Sequence, residues 1–208
     1  MEIVAALGDP PPDAALDAAI HALAAGQLVG IPTDTVYGLG ADPFRTGAAD
    51  RLFAVKGRPR TVELPVLVAD LDQALSLATA VPEAALVLAG RWWPGALTLV
   101  LPRRPDLAAD LGSDDATIGI RCPDHPVPRA LASRAGPLAT TSANRHGEPP
   151  LTTAGAVAEA FGAGIAVVLD AGPCAGEPST VVDCTGAEAR CLREGRIPWA
   201  DIEAELRG

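Results

Sequence analysis

The residues best suited to phosphate chemistry are two cations, Lys56 and Arg58, in the run Ala-Val-Lys-Gly-Arg-Pro-Arg. Lys56 is the single lysine of the 208 residues, and every other basic side chain of the Lys and Arg type is an arginine. An ammonium group is a compact point charge with three donors, and two cations that are two residues apart can converge on one phosphate. The same pair at the end of a helix could instead neutralise the helix dipole. Both interpretations stay open at this point.

Two runs of small polar residues could bind a ligand. Residues 32–40 read Pro-Thr-Asp-Thr-Val-Tyr-Gly-Leu-Gly, and residues 140–144 read Thr-Thr-Ser-Ala-Asn. Small hydroxyl and amide side chains supply donors and acceptors without filling the space that a ligand needs, and glycine lets backbone approach closely. Either run is equally compatible with an ordinary capped turn, with Tyr37 packed in the core.

Two arginines follow short apolar stretches, where α/β proteins place binding residues. Arg121 ends Thr-Ile-Gly-Ile-Arg, and Arg193 ends Arg-Cys-Leu-Arg. A guanidinium group can bind a carboxylate or a phosphate through two parallel hydrogen bonds. Each arginine alone would equally suit an exposed position on the surface.

Several classes of site are disfavoured by composition and spacing. The chain has neither a Gly-x-x-x-x-Gly-Lys-Thr phosphate loop nor a Gly-x-Gly-x-x-Gly dinucleotide motif. Its four cysteines and three histidines lack metal-ligand spacing, so we expect reduced thiols and no metal held by side chains. A net charge of −10 with 3% aromatic residues argues against a surface that binds nucleic acid non-specifically. No apolar run is long enough for a membrane span, and we expect a cytoplasmic protein.

The elements that must position these residues alternate between helical and extended patterns. Strands are predicted near residues 28–31, 65–68, 97–101, 117–121, 138–141, 165–169, 180–183 and 190–192. Helices are predicted over 48–55, 71–78 and 83–92, from 126 onward, from 152 or 153 to 161, and over 197–206; a first helix is capped by Asp13 and ends at Gly26. Closely spaced strands near the end of the chain must pair antiparallel. We therefore expect residues 1–208 to form a single α/β domain with a twisted mixed sheet flanked by helices.

Six short blocks in this order resemble the YrdC/Sua5 family. They are Pro-Thr-Asp-Thr-Val-Tyr-Gly-Leu, Lys-Gly-Arg-Pro, Trp-Pro-Gly-Ala-Leu-Thr, Gly-Ile-Arg-Cys-Pro, Thr-Ser-Ala-Asn and Pro-Ser-Thr-Val-Val-Asp. The resemblance runs from about Gly26 to Ile197 and is to the short, single-domain members. It implies a mixed α/β fold with a deep concave ligand pocket. It also implies an L-threonylcarbamoyladenylate synthase, which makes the activated intermediate for the t6A modification of tRNA.

The resemblance also implies roles for individual residues. The catalytic pairs of the family are Lys-x-Arg and Ser-x-Asn, matched here by Lys56, Arg58, Ser142 and Asn144. By that resemblance L-threonine would be held by Thr35, Arg121, Ser142 and Ser179, and ATP by Lys56, Arg58, Thr117, Asn144, Thr152 and Arg193.

The reaction implied uses ATP, L-threonine and bicarbonate or CO2 and releases pyrophosphate. Mg2+ would be held by the ATP phosphates, and further partners would be tRNA and the proteins that transfer the threonylcarbamoyl group downstream. Such a site needs no protein nucleophile, because it works by positioning the substrates and stabilising charge at the phosphates.

The chain departs from the family pattern in one place that matters for the site. Many members continue after Lys-Gly-Arg-Pro with Asn-Pro-Leu-Ile-Val-His, whereas this chain has Val-Glu-Leu-Pro-Val-Leu from Val62 to Leu67. The contacts of that asparagine and histidine are therefore not carried over.

Two other functions compete with the synthase. One is a module that binds tRNA or another structured RNA, which the scarcity of aromatic residues and the single lysine disfavour. The other is a carbamoyltransferase that forms carbamoyl adenylate, as in the related domain of hydrogenase-maturation proteins.

Overall fold

A computed structural model describes residues 1–57, 59–112, 116–145 and 147–207. In this part of the chain ten strands form one sheet. They are β1 (Glu2–Ala5), β2 (Val29–Ile31), β3 (Gly38–Ala41), β4 (Val66–Leu67), β5 (Leu97–Pro102), β6 (Thr117–Arg121), β7 (Leu138–Ser142), β8 (Val167–Asp170), β9 (Thr180–Asp183) and β10 (Arg190–Arg193).

The helices of the described residues begin and end at residues suited to those positions. Asp70 and Thr153 cap helices by accepting a hydrogen bond from a backbone N–H three residues further on. Gly57, with a φ of 64°, ends another helix in the left-handed conformation that glycine adopts without strain. The helices are α1 (Asp13–Ala24), α2 (Ala48–Lys56), α3 (Leu71–Leu77), α4 (Glu83–Trp92), α5 (Pro126–Ala135), α6 (Ala154–Phe161) and α7 (Trp199–Arg207).

The sheet is mixed, as its strand order shows. The order is β1-β8-β2-β3-β7-β4-β6-β5-β9-β10. The pairs β1–β8, β2–β8, β4–β6 and β5–β9 are parallel, and the remaining neighbours are antiparallel. Neighbouring strands are often far apart in sequence, which explains how distant polar runs can meet at one place.

Helices cover the two faces of the sheet unequally. Because successive residues of a strand point to opposite faces, Val167 and Leu169 of β8 belong to the same apolar cluster as residues of α1 and α5, whereas Val168 belongs to the cluster on the other face, to which α2, α4 and α6 contribute. On β6 the residues Ile118 and Ile120 belong to that second, larger cluster. Their alternate neighbours on the first face instead line an open cavity, which places the candidate site on the face shared with α1 and α5.

Most predicted elements are confirmed, with three differences. β1 and β3 were not predicted, and β3 overlaps the run 32–40, which was interpreted as a ligand-binding run or a capped turn. Asp13 does not cap α1: Pro12 occupies the capping position, and the Asp13 carboxylate lies 3.2 Å from Arg134. None of the helices in the described ranges is long and apolar enough to cross a membrane.

The segment that follows β10 packs closely against the start of β9. Thr180 holds it through its hydroxyl, which donates to the Ile197 carbonyl at 2.6 Å and accepts from the backbone N–H groups of Gly195 and Ile197. A Cβ atom added at Gly195 would lie 2.3 Å from the Pro178 carbonyl oxygen and 2.6 Å from the Ser179 carbonyl carbon. Only glycine fits at this approach of two backbones.

We predict that Gly195→Ala lowers the free energy of unfolding by about 1–3 kcal/mol, because two backbone segments must separate to admit the methyl group. Gly90→Ala is the matched control: it lies within α4, where an added Cβ would meet nothing within 4 Å, so it should be neutral or stabilising. Chemical denaturation of both variants measures the difference. Equal stabilities would contradict the packing described.

Candidate functional site

An open cavity of about 680 Å³ lies on the sheet face shared with α1 and α5. Its floor is made by alternate residues of neighbouring strands, since only every second residue of a strand faces one side. The strand β6 contributes three of them at positions i, i+2 and i+4. The floor residues of the central strands are Thr117, Gly119 and Arg121 on β6, Thr98 and Val100 on β5, and Ser179 and Val181 at β9.

Gly119 leaves the middle of this floor without a side chain. A Cβ atom built there would meet the Pro65 Cβ at 3.5 Å and the Thr98 Cγ2 at 3.8 Å, which are ordinary contact distances. The backbone could therefore accept a side chain, which would extend into the cavity. Glycine at this position keeps the cavity deep.

Arg121 is a buried charge whose contacts fix its orientation. The residue is 7% exposed. Nε donates to the Gly95 carbonyl at 2.9 Å, Nη1 to the Thr35 hydroxyl at 2.7 Å, and Nη2 to Asp34 Oδ1 at 2.6 Å. Burial lowers the pKa of the guanidinium, and the Asp34 carboxylate opposes this shift. Arginine remains charged nonetheless. Nη1 and Nη2 each have one further N–H, and Arg121 is one of the residues that line the cavity.

The Thr35 hydroxyl is itself oriented by the turn between β2 and β3. The Thr33 hydroxyl donates to the Val36 carbonyl at 2.7 Å and lies 2.9 Å from the Thr35 hydroxyl. Because the single proton of Thr33 is used, Thr35 must be the donor in the contact between the two hydroxyls. The Thr35 oxygen then accepts from Arg121, and both threonines line the cavity.

Lys56 joins the end of α2 to the turn that follows β7. Its ammonium donates to the Ser142 carbonyl at 2.6 Å, to the Asn144 carbonyl at 2.5 Å and to the Asn144 side-chain oxygen. The Ser142 hydroxyl donates to the same side-chain oxygen at 2.6 Å. Lys56 thus holds the Ser142–Asn144 turn in place, and its interpretation as a phosphate contact stays a prediction.

Ser179 connects the floor of the cavity to the edge strand β10. Its hydroxyl lies 2.9 Å from that of Thr98 and accepts from Arg193 Nη2 at 3.2 Å. Arg193 also donates twice to the Ser179 carbonyl, at 2.8 and 3.2 Å. Burial lowers the pKa of Arg193. The register between β9 and β10 shifts at Leu192, so that Arg193 lies opposite Val181 and shares its face.

An extended strap, residues 171–178, passes beside the site. Tyr37, fully buried, donates its hydroxyl to the Gly172 carbonyl at 3.0 Å, and burial raises its pKa, so it stays a neutral donor. The backbone N–H of Cys174 donates to the Thr152 carbonyl at 2.9 Å, and that of Gly176 to the Thr35 carbonyl at 2.7 Å. Thr152 thus contacts the strap through its backbone.

The structure brings most of the predicted site residues to this one cavity. Those that line it are Thr35, Thr117, Arg121, Ser142, Asn144, Ser179 and Arg193. Lys56 and Thr152 are not among the lining residues, although Lys56 contacts Ser142 and Asn144, which are. Arg58 lies outside the described residues. In the part of the chain that is described, no group of three or more His, Cys, Asp or Glu side chains could hold a metal ion.

Sequence reasoning missed two residues of the site, Thr98 and Asp34. Thr98 was detectable as the polar residue that interrupts the apolar strand Leu-Thr-Leu-Val-Leu. Asp34 stood within the quoted Pro-Thr-Asp-Thr run, but its ion pair with Arg121 joins residues 87 positions apart. Such a pair depends on strand order, which the sequence pattern does not reveal.

We predict that Lys56→Met loosens the Ser142–Asn144 turn and costs about 1–3 kcal/mol of stability, because buried acceptors lose their donor. Hydrogen exchange of residues 142–145 should become faster. Arg104→Met is the matched control, since Arg104 is an exposed cation paired with Asp106 and such pairs contribute little. Unchanged exchange in Lys56→Met would show that the turn is held by other contacts.

Comparison with known proteins gives a consistent result. The Sua5/YciO/YrdC family model, with the description "Telomere recombination", matches residues 21–195. A Mycobacterium tuberculosis protein named putative threonylcarbamoyl-AMP synthase is 44% identical over 191 residues, which are 91% of this chain and 88% of that protein. The Bacillus subtilis threonylcarbamoyl-AMP synthase is 42% identical over 86% of this chain, but the match spans 53% of its own length.

The fold is likewise shared with solved structures. The Pyrococcus abyssi Sua5 in complex with L-threonine superposes with a TM-score of 0.92 and 36% identity, covering 98% of this chain and 60% of that one. Escherichia coli YciO gives a TM-score of 0.85 at 21% identity, over 95% of this chain and 97% of YciO, which is a likeness of fold. The protein is thus a member of the Sua5/YciO/YrdC family.

Proposed function

We propose that the protein is an L-threonylcarbamoyladenylate synthase, a nucleotidyltransferase that acts on ATP, L-threonine and bicarbonate or CO2 for the t6A modification of tRNA. Relatives that carry this name match most of the chain at 44% and 42% identity. A structural neighbour of the same family holds L-threonine. The residues of the cavity described above fit these substrates.

The observation that carries the proposal is the buried Arg121 at the floor of the cavity. Each of its three nitrogens donates to a protein acceptor, and Nη1 and Nη2 each keep one further N–H. The proposal assigns the α-carboxylate of threonine to this guanidinium, because a guanidinium fork can bind a carboxylate through two hydrogen bonds. The hydroxyls of Thr35 and Ser179 would contact the rest of the threonine molecule.

The nucleotide would lie over the other end of the same floor. Thr117, Asn144 and Arg193 line the cavity and we assign all three to ATP, with Thr117 at the end of β6 away from Arg121 and Arg193 nearer to Arg121. Lys56 and Arg58 would serve the phosphates, with Lys56 also holding the turn that carries Asn144. The volume of about 680 Å³ is within the range of small-molecule sites. Mg2+ would enter as part of the substrate MgATP, because it is usually held by phosphate oxygens and water.

The proposed chemistry needs positioning more than it needs a reactive side chain. The amine of threonine adds to CO2 and releases one proton, which gives N-carboxythreonine. An oxygen of the new carboxylate then attacks the α-phosphorus of ATP, and the bond to the leaving pyrophosphate breaks. Fixing both substrates on one rigid floor supplies the orientation, and the cationic side chains stabilise the charge on the phosphates.

We expect pyrophosphate release from ATP to require both threonine and bicarbonate, measured by omitting each substrate in turn. Release that is unchanged without threonine would overturn the proposal. Turnover with carbamoyl phosphate in place of threonine and bicarbonate would favour the carbamoyltransferase alternative. Tight, salt-dependent tRNA binding without threonine-dependent turnover would favour the RNA-binding module.

Because Gly119 keeps the cavity deep, we predict that turnover depends on the size of the side chain at this position. Gly119→Leu should fold and yet lose at least about tenfold in turnover, since its side chain would occupy the space where the substrates meet. Gly119→Ala is the matched control, because its Cβ makes only contacts of 3.5 Å or longer. Steady-state kinetics with melting temperatures measure both. A Leu variant with normal turnover would mean that the substrates lie elsewhere.

A further inference from the structure

Among the described residues, Asp34 is the carboxylate that forms an ion pair with Arg121. Oδ1 of Asp34 lies 2.6 Å from Arg121 Nη2, and the two side chains are 11% and 8% exposed. The backbone of Asp34 is held as well, because Arg196 Nη1 donates to its carbonyl at 2.7 Å. The ion pair is therefore built from a fixed segment of the turn between β2 and β3.

The position of Asp34 shows that it acts through Arg121. Thr33, Thr35 and Arg121 line the cavity, whereas Asp34, between the two threonines, does not. Its carboxylate contacts the guanidinium at Nη2. The Gly95 carbonyl and the Thr35 hydroxyl hold the other two nitrogens. A planar group held at all three nitrogens is fixed in its orientation.

The charges around Arg121 make this carboxylate necessary. The positive charges of Arg193 and Arg196 act on Arg121 and lower its pKa, in the same direction as burial. Asp34 counteracts both effects by its charge and its hydrogen bond. Without it, three guanidinium groups would repel one another near the cavity, and the most buried of them would lose its counter-ion.

We infer that Asp34 is a positioning residue for substrate recognition, which holds the Arg121 fork toward the cavity and sets the affinity for the amino-acid carboxylate. The inference rests on the proposed function and deepens it, since Asp34 is not among the residues that line the cavity. With the Asp34 carboxylate in place, Arg121 is already oriented to bind the carboxylate of the substrate. Without it, the guanidinium would have to be ordered when the substrate binds.

Two variants test the inference through the kinetics of pyrophosphate release. Asp34→Asn keeps the shape and one acceptor but removes the charge, and Asp34→Ala removes both. We expect KM for threonine to rise about tenfold or more in Asp34→Ala and by less in Asp34→Asn, with KM for ATP within about twofold of the wild type. The effect on kcat at saturating threonine should be smaller than that on KM.

Asp183→Asn is the matched control, because Asp183 is also a buried carboxylate paired with an arginine, Arg190, at 2.6 Å. It does not line the cavity. This variant should lower the melting temperature and leave KM for threonine unchanged. If Asp34→Ala fails to fold, the isosteric Asp34→Asn carries the test.

A double-mutant cycle distinguishes positioning from a general loss of stability. In an Arg121→Lys background the fork is absent, so Asp34→Asn should add little further change in KM for threonine. The inference is overturned if Asp34→Asn leaves KM for threonine unchanged, raises KM for ATP equally, or adds its full effect in the Arg121→Lys background. Wild-type protein without threonine-dependent release would instead overturn the proposed function, which is a separate result.

Discussion

The structure depends on keeping one positive charge, that of Arg121, buried in a sheet. A guanidinium taken out of water is stabilised only when its N–H groups find acceptors, and here two parts of the chain supply three of them. Gly95 is tied to the same place twice: its carbonyl accepts from Arg121, and its own N–H donates to the Cys122 carbonyl at 2.8 Å. A Cβ atom at Gly95 would lie 2.4 Å from the Trp92 carbonyl oxygen, so the loop before β5 requires glycine there. The turn after β2 and the loop before β5 are thus shaped around this side chain.

The hydroxyl groups of the cavity are likewise held by hydrogen bonds within the protein. Thr33, Thr35, Thr98 and Ser179 all have hydrogen-bond partners in the protein. Their oxygen positions are set before any ligand arrives, which reduces the ordering required on binding. Lys56 extends this principle to backbone, since its ammonium gathers two carbonyls and an amide oxygen around the turn after β7. Lys56, interpreted from the sequence either as a phosphate contact or as a partner of the helix dipole, thus holds the turn after β7.

Much of the fold could be predicted because apolar strands carry a clear pattern. The strands β5, β6 and β9 were predicted from runs such as Thr-Ile-Gly-Ile-Arg, and the structure confirms them. The strand β3 was missed because Gly-Leu-Gly-Ala lacks the branched and aromatic residues typical of strands, and it is a strand because β2 and β7 pair with it.

The site residues likewise divide into those that stand in a local motif and those whose place depends on strand order. Arg121 and Ser142 stood in recognisable blocks, and their place at the cavity agrees with the resemblance. Thr98 was missed because its partner Ser179 precedes β9, which pairs with β5 across some 80 positions of sequence. Asp34 was missed for a similar reason, since its role follows from where β6 ends relative to β2. Long-range register is set by the packing of the whole sheet, and local periodicity does not contain it.

The alternation along β6 has a consequence for how the two substrates can be arranged. Thr117 and Arg121 face the same side four residues apart, which at the rise of a strand is about 13 Å. Both residues belong to one continuous, hydrogen-bonded strand in the interior of the sheet, so no hinge lies between them. The distance between Thr117 and Arg121 is therefore fixed. The fold therefore sets the distance between a ligand bound at Arg121 and a ligand bound at Thr117. This distance does not depend on which ligand binds first.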